Sequence, residues 1–182
     1  MIILKRAHLG DDGYTYIMFG ERVAKEDLLI ELIGVLDELN SFLGLGRSFL
    51  RNEELDKILR DIQDLIFRIS RDLAYPKDKL TDPWVSERDI ENIEKLTNEL
   101  WEKIPEPKYA FIYPTGTPAA SAVHVARSIC RRGERVASKL YHENRLNQVY
   151  LVALNRLSDL LYVLARYINL VEKYSEEIWR KW

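Results

Sequence analysis

The sequence predicts an all-α fold of about five helices in a single domain. Five stretches repeat apolar residues at the spacing of one helix face, and each begins at a residue suited to capping a helix. A chain of 182 residues can bury a substantial core, and nothing in it requires a second domain. We therefore expect one helical-bundle domain over residues 1–182, with residues 1–25 as an irregular N-terminal arm. The capping residues are Asp27, Asn52, Ser86, Thr117 and Asn147.

Composition narrows the function classes. A formal net charge of −2 and a pI near 6.0 argue against a general nucleic-acid binder, which needs many basic contacts to phosphates. Cys130 is the only cysteine, so an intrachain disulfide framework and a cysteine-based zinc site are excluded. No segment has the roughly 18 consecutive apolar residues of a membrane span. We expect a soluble cytoplasmic protein that binds neither nucleic acid nor membrane.

The N-terminal arm contains a glycine pair around two acidic residues, Gly10-Asp11-Asp12-Gly13, and shows no sustained helical period. Backbone amides in such a turn could bind a phosphate. Short glycine pairs also mark ordinary turns, so both interpretations stay open.

The first predicted helix covers residues 27–50 and has a second face of small residues, among them Gly34 and Gly44. Two glycines in a helix interior lower its stability by about 1 kcal/mol each relative to alanine, which favours close approach of a neighbouring backbone as their reason. Asp37 lies on this face. It is either a solvent-exposed carboxylate or a salt-bridge partner for an arginine across a packed interface. The second helix, residues 53–71, shows only a packing pattern.

The third helix runs from the capping box Ser86–Asp89 to about Ile104, after a proline-containing loop at residues 75–85. An aromatic stretch follows at residues 109–116. It is too short for a helix, and no second strand is predicted to pair with it, so we expect a loop with exposed aromatic side chains.

The fourth helix, residues 117–140, carries three arginines at i, i+4 and i+8: Arg127, Arg131 and Arg135. Like charges at this spacing repel, and a solvated face is the ordinary interpretation. Three guanidinium groups in register, with a carboxylate to orient one of them, better suit a multiply charged anion such as a triphosphate. The same arc contains His124, Glu134 and Ser138.

The fifth helix is predicted from residue 148 towards residue 181 and is apolar over most of its circumference. One polar line interrupts it. Buried polar groups need partners, so this line is either an internal hydrogen-bond ladder or the wall of a site. Its members are Asn155, Asp159, Tyr162, Arg166 and Asn169.

Few residues suit covalent or metal-based catalysis. His8, His124 and His142 lie far apart or on different faces, and no Glu-x-x-His pair of a di-iron bundle is present, so we predict no protein-built metal site. His124 and Cys130 project from different sides of one helix, which argues against a Cys-His nucleophile. The remaining groups can bind a polyanion and position a reactive group supplied by another molecule.

Several sequence blocks occur in the order found in one family: RVAK (22–25), DELNSFLGLGRS (37–48), YPTG (113–116), ARSICRRGER (126–135) and LNRLSDLLYVLARYIN (154–169). With them the chain resembles the PduO-type ATP:cob(I)alamin adenosyltransferases over nearly its whole length. The resemblance implies an up-and-down, ferritin-like helical bundle and a homotrimer with sites between adjacent subunits. It also implies ATP and Mg²⁺ as co-substrates, a corrinoid (cobalamin) as acceptor, and a corrinoid reductase as a candidate partner.

The implied reaction is attack of cob(I)alamin on the 5′ carbon of ATP, with release of triphosphate and formation of adenosylcobalamin. For catalysis the resemblance selects Arg131, Arg127 and Phe111. Arg127 would pair with Asp37 of a neighbouring subunit. Phe111 would lie under the corrin and displace its lower ligand, which makes Co(II) easier to reduce. The nucleotide-binding residues would be Gly10, Asp11, Gly13, Lys25, Arg131, Glu134 and Asn155.

The arm differs from the family pattern Thr-Lys/Arg-Thr-Gly-Asp-x-Gly. The matching run here is Ala7-His8-Leu9-Gly10-Asp11-Asp12-Gly13, which keeps the glycines and Asp11 but lacks both hydroxyls and the basic group. This difference motivates an alternative function, a non-catalytic helical bundle that binds a nucleotide or a corrinoid.

Overall fold

A computed structural model describes residues 10–179 and contains five α-helices and one short antiparallel strand pair, which confirms the predicted helical bundle. The helices take up nearly all of the regular structure. The elements are β1 (Tyr14–Tyr16), β2 (Arg22–Ala24), α1 (Leu28–Phe49), α2 (Glu53–Leu73), α3 (Glu87–Lys103), α4 (Pro118–His142) and α5 (Gln148–Val171).

All five helices of the described residues start at their predicted caps, although the Asn147 side chain makes no capping bond at α5. The side chains of Asp27, Asn52 and Thr117 each accept a hydrogen bond from a backbone N–H in the first turn of α1, α2 and α4. Ser86 and Asp89 satisfy each other's backbone groups in a capping box at the start of α3. These local bonds place the helix starts independently of the tertiary packing.

The core lies between α1, α4 and α5, with α2 packed against α1 and α3 packed against α5. Gly133 allows a close approach of α4 to α1, because a Cβ atom there would lie 3.2 Å from Val35 Cγ1. Cys130 is fully buried, its thiol donates a hydrogen bond to the Leu154 carbonyl at 3.3 Å, and burial raises its pKa. Within the described chain, each helix is too short or too polar to span a bilayer.

The described part of the N-terminal arm is more regular than predicted. β1 and β2 form a hairpin in which Tyr14 pairs with Ala24. Arg22 forms an ion pair with Asp12 and stacks on the Tyr14 ring at 4.0 Å. The backbone N–H of Met18 donates to the Ala74 carbonyl at 2.8 Å, so the hairpin is attached to the end of α2.

The predicted extension of α5 to residue 181 is wrong. The helix ends at Val171, Lys173 adopts a left-handed conformation with φ of 57°, and the N–H of Tyr174 bonds back to the Asn169 carbonyl at 2.8 Å. The chain then reverses and continues in extended form. Residues 174–179 are called the C-terminal strap below. Trp182 lies outside the described residues.

The strap explains a second correction. The aromatic stretch at residues 109–116 was predicted to have no strand partner, but Ile112 forms an antiparallel bridge with Ile178. Residues 108–114 are called the aromatic loop below. The N–H of Tyr113 donates to the Glu177 carbonyl at 2.9 Å, and the N–H of Trp179 donates to the Phe111 carbonyl at 2.8 Å. The partner was missed because it lies in a segment that was assigned to a helix.

Candidate active site

Two cavities open along the groove between α4 and α5. The first, the arginine cleft, has a volume of about 430 Å³, and the second, the loop cavity, has a volume of about 490 Å³. Helical spacing separates the arginines between them: Arg131 and Arg135 line the arginine cleft, and Arg127 lines the loop cavity. The predicted arginine band therefore serves two adjacent sites.

The arginine cleft combines two exposed cations with an oriented carboxylate. The side-chain amide of Asn155 donates from Nδ2 to Glu134 Oε1 at 2.7 Å, and Arg156 donates to the side-chain oxygen Oδ1 of Asn155. Arg135 donates to the main-chain carbonyl of Arg131 at 3.0 Å. Among residues 10–179, the Arg131 guanidinium has no hydrogen bond or ion pair. It is therefore available to an anionic ligand, while Glu134 and Asn155 are held in place.

Aromatic side chains form part of the lining of the loop cavity. The Phe111 side chain is 77% exposed, and Tyr109 beside it is still more exposed. The Arg127 guanidinium lies 5.4 Å from the centre of the Tyr162 ring on the opposite wall. Exposed aromatic side chains beside a cavity indicate a site for a large, partly apolar ligand. Its lining also includes Trp101, Ile112, Pro114, His124, Asp159 and Val163.

His124 differs from its prediction, because it does not share the solvated arc of the arginines. Its side chain is 4% exposed, and both ring nitrogens lack a hydrogen-bond partner among the described residues. Burial, with smaller contributions from Arg127 and Arg166, lowers its pKa to about 4. His124 is therefore a neutral, buried residue of the loop cavity, although helical spacing placed it in the same arc as the arginines.

The polar line of α5 serves both purposes that its pattern left open. Asn155 lines the arginine cleft, and Asp159 and Tyr162 line the loop cavity. Further along, Asn169 forms an internal bridge: its Oδ1 accepts from the N–H of Thr117 and its Nδ2 donates to the Thr115 carbonyl, each at 3.1 Å.

The close approach of Asn169 requires a glycine at position 116. A Cβ atom on Gly116 would lie 2.0 Å from Asn169 Oδ1, and the φ of 153° is itself unusual for other residues. The YPTG block thus fixes the join between the aromatic loop and α4.

The hairpin brings together three of the predicted nucleotide-binding residues. The N–H of Lys25 donates to the Gly13 carbonyl at 2.9 Å, and Lys25 Nζ lies 3.0 Å from the position a Cβ on Gly10 would occupy. Asp11 is exposed in the same turn. Ala7, His8 and Leu9 of the divergent arm motif lie outside the described residues.

Within one chain the hairpin and the arginine cleft are separate. The hairpin borders another cavity of about 490 Å³, and this cavity shares no lining residue with the arginine cleft. Its wall includes the ion pair between Arg145 and Asp27, at 2.6 Å, beyond the C-terminal end of α4. Arg131 lies about 17 Å along the helix axis from that end at His142. Within a single copy, the hairpin and the arginine cleft therefore do not border one common cavity.

Two further predictions concern the ion pairing of Asp37 and a protein-built metal site. Asp37 is exposed on α1 and makes no ion pair with another residue of the described chain. In that same part of the chain, no group of three or more His, Cys, Asp or Glu residues could hold a metal ion.

Comparison with known proteins identifies the family. A model of the family described as cobalamin adenosyltransferase matches residues 6–168. The chain belongs to the cobalamin adenosyltransferase family.

Relatives of this family member cover most of its length. It is 33% identical to the corrinoid adenosyltransferase MMAB of Bos taurus, over 94% of this chain and 74% of the relative. It is 36% identical to the corrinoid adenosyltransferase of Bacillus subtilis, over 88% of this chain and 83% of the relative.

Solved structures of the PduO-type ATP:corrinoid adenosyltransferase from Lactobacillus reuteri have the same fold. A phenylalanine-to-alanine variant complexed with cobalamin and ATP matches with a TM-score of 0.89 and 34% identity, over 96% of this chain and 98% of that one. An arginine-to-lysine variant complexed with ATP matches with a TM-score of 0.87 and 35% identity, over 96% and 99% of the two chains.

Proposed function

We propose that this family member transfers the 5′-deoxyadenosyl group of ATP to a reduced corrinoid. The cob(I)alamin cobalt supplies an electron pair that forms the bond to C5′, the C5′–O bond breaks, and triphosphate leaves. The observation that carries this proposal is the pairing of a cationic cleft and an aromatic cavity along one groove, in a fold that matches a relative complexed with cobalamin and ATP.

The arginine cleft would bind the triphosphate. Arg131 has a guanidinium with no partner in the described chain, and Arg135 lies one turn away. Positive charge beside the leaving group stabilises the negative charge that develops as C5′–O breaks. The Glu134–Asn155 pair would orient the nucleotide. Mg²⁺ would be bound largely by phosphate oxygens and water.

The loop cavity would bind the corrinoid. Phe111 presents an exposed ring beside Tyr109, and Arg127 and Tyr162 form the opposite wall. An apolar ring under the cobalt would displace the lower ligand and offer no replacement, so Co(II) would be reduced more easily. No covalent catalyst is needed, because the cobalt is the nucleophile and the protein supplies position and charge.

The complete site would require more than one copy, as a homotrimer. The hairpin residues Gly10, Asp11, Gly13 and Lys25 would cover the arginine cleft of a neighbouring copy, and Asp37 would pair with Arg127 across the interface. The separation of hairpin and cleft within one chain supports this arrangement. A cytoplasmic location and a corrinoid reductase partner remain predictions from the sequence.

The function is tested with wild-type protein, ATP, Mg²⁺ and chemically reduced cob(I)alamin under anaerobic conditions. We expect adenosylcobalamin and intact triphosphate in equal amounts, followed by the absorbance change of the cobalt–carbon bond and by chromatography of the released phosphates. Binding of the corrinoid without formation of this product would instead support the non-catalytic alternative.

A further inference from the structure

The C-terminal strap holds the aromatic loop through backbone pairing. Ile178 bridges Ile112, and the Trp179 N–H donates to the Phe111 carbonyl at 2.8 Å. The edge of the Phe111 ring also meets the Trp179 ring, with centroids 6.2 Å apart and planes at 88°. The position of Phe111 therefore depends on a segment about 65 residues away in sequence.

One side chain of α5, outside this backbone pairing, bonds to both the aromatic loop and the C-terminal strap. Arg166 of α5 donates from Nε to Glu176 Oε2 of the strap at 2.9 Å and from Nη1 to the Lys108 carbonyl of the aromatic loop at 2.7 Å. Its guanidinium also lies 5.8 Å from the ring centres of Trp101 and Tyr162. Arg166 thus connects the helix, the loop and the strap at one point.

Because Arg166 and Glu176 are shielded from solvent, each requires the other as its charge partner. Arg166 is 4% exposed and Glu176 is largely shielded, with its second oxygen, Oε1, unpartnered in the described chain. A buried charge that loses its partner is strongly destabilised, so Glu176 cannot stay in place without a cation beside it. The planar guanidinium also reaches two acceptors in different directions, which the single ammonium of a lysine cannot reproduce.

We propose that Arg166 is a positioning residue, which holds Phe111 beside the corrinoid by fastening the aromatic loop to the C-terminal strap. The proposal rests on the proposed adenosyltransferase function and extends it to a residue that contacts neither ATP nor cobalt. Nothing in the described contacts connects Arg166 to the arginine cleft. Loss of the fastening therefore affects removal of the lower ligand, while ATP binding is retained.

Three variants separate positioning from folding. Arg166→Lys keeps the charge but loses the two-acceptor geometry. Glu176→Gln keeps the size of the strap side chain but removes its charge. The double variant Arg166→Met with Glu176→Met replaces the buried pair by apolar side chains, an exchange that proteins commonly tolerate, and it also removes the bond to the Lys108 carbonyl. Arg88→Gln, an exposed residue of α3, is the matched control.

The measurement compares two corrinoids in the presence of ATP. Cob(II)alamin carries a tethered lower base, whereas cob(II)inamide carries only water beneath the cobalt. We expect the fraction of bound cob(II)alamin that has lost its lower base, read by absorption and electron paramagnetic resonance, to fall roughly tenfold in Arg166→Lys and in the double variant. The fraction of bound cob(II)inamide that has lost its lower water should fall clearly less. The KM for ATP should stay within about twofold of wild type.

Two results would overturn the proposal. One is a wild-type fraction of base-free cob(II)alamin in the double variant, and the other is an equal fall, for both corrinoids, in the fraction that has lost its lower ligand. Failure of the adenosyltransferase function itself would look different. The wild-type protein and Arg88→Gln would then give no adenosylated product with either corrinoid.

Discussion

At the residue scale, His124 shows how burial decides the state of a group that the sequence alone leaves open. Its position seven residues before Arg131 suggested a place beside the arginines. His124 instead lines the loop cavity, where only 4% of the residue is exposed. A protonated imidazole there would also be repelled by the charges of Arg127 and Arg166, so His124 stays neutral at physiological pH.

This state predicts a pH-dependent stability. In the unfolded chain His124 has a pKa near 6.5, and in the fold the pKa is lowered to about 4. Between these values the unfolded chain binds a proton that the folded chain does not, so the free energy of unfolding falls as pH falls from 6.5 to 4, by at most about 3 kcal/mol. The Tm of wild type should decrease over this window by several degrees more than that of His124→Gln.

Comparing the two Tm curves cancels the carboxylates that titrate in the same range, because both proteins contain them. Parallel curves between pH 7 and pH 4 would show that His124 is not held neutral by burial.

At the element scale, the sequence predicted the helices better than the segments that connect them. The caps Asp27, Asn52 and Thr117 act through bonds to their own first turns, so local sequence contains the required information. The end of α5 was missed because Lys173 adopts its left-handed conformation without a glycine or proline to indicate it. Because of that one error, the strap and its pairing with Ile112 were also missed.

The polar line of α5 was the most informative pattern for the site. It selected Asn155, which contacts Glu134, and Arg166, which fastens the aromatic loop. Sequence reasoning could not assign them different purposes, because the difference depends on what lies opposite each residue: Glu134 of α4 in one case and the strap in the other. Its place on the polar line of a mostly apolar helix was the available signal for Arg166.

At the scale of the whole molecule, the arrangement of hairpin and cleft predicts that subunits share their sites. A Lys25→Ala chain lacks the hairpin cation, and an Arg131→Ala chain lacks the cleft cation. If the hairpin of one copy completes the cleft of another, co-expression of the two variants restores some intact sites, about a quarter of all sites for random mixing. The measurement is adenosylation activity of the purified mixed oligomer relative to each variant alone.

If each chain instead completed its own site, the mixed oligomers would be no more active than the two variants measured separately. Size-exclusion chromatography of all three preparations verifies that the variants assemble as wild type does.

The proposed function depends above all on Arg131, whose guanidinium in the arginine cleft would bind the triphosphate of ATP during adenosyl transfer. The most direct measurement is kcat/KM for ATP under anaerobic conditions with saturating cob(I)alamin, in wild type, Arg131→Ala and the exposed control Arg88→Ala. We expect a loss of about 10²-fold or more in Arg131→Ala, with wild-type helical content, and an unchanged value in Arg88→Ala. A wild-type kcat/KM for ATP in Arg131→Ala would show that this guanidinium does not bind the triphosphate.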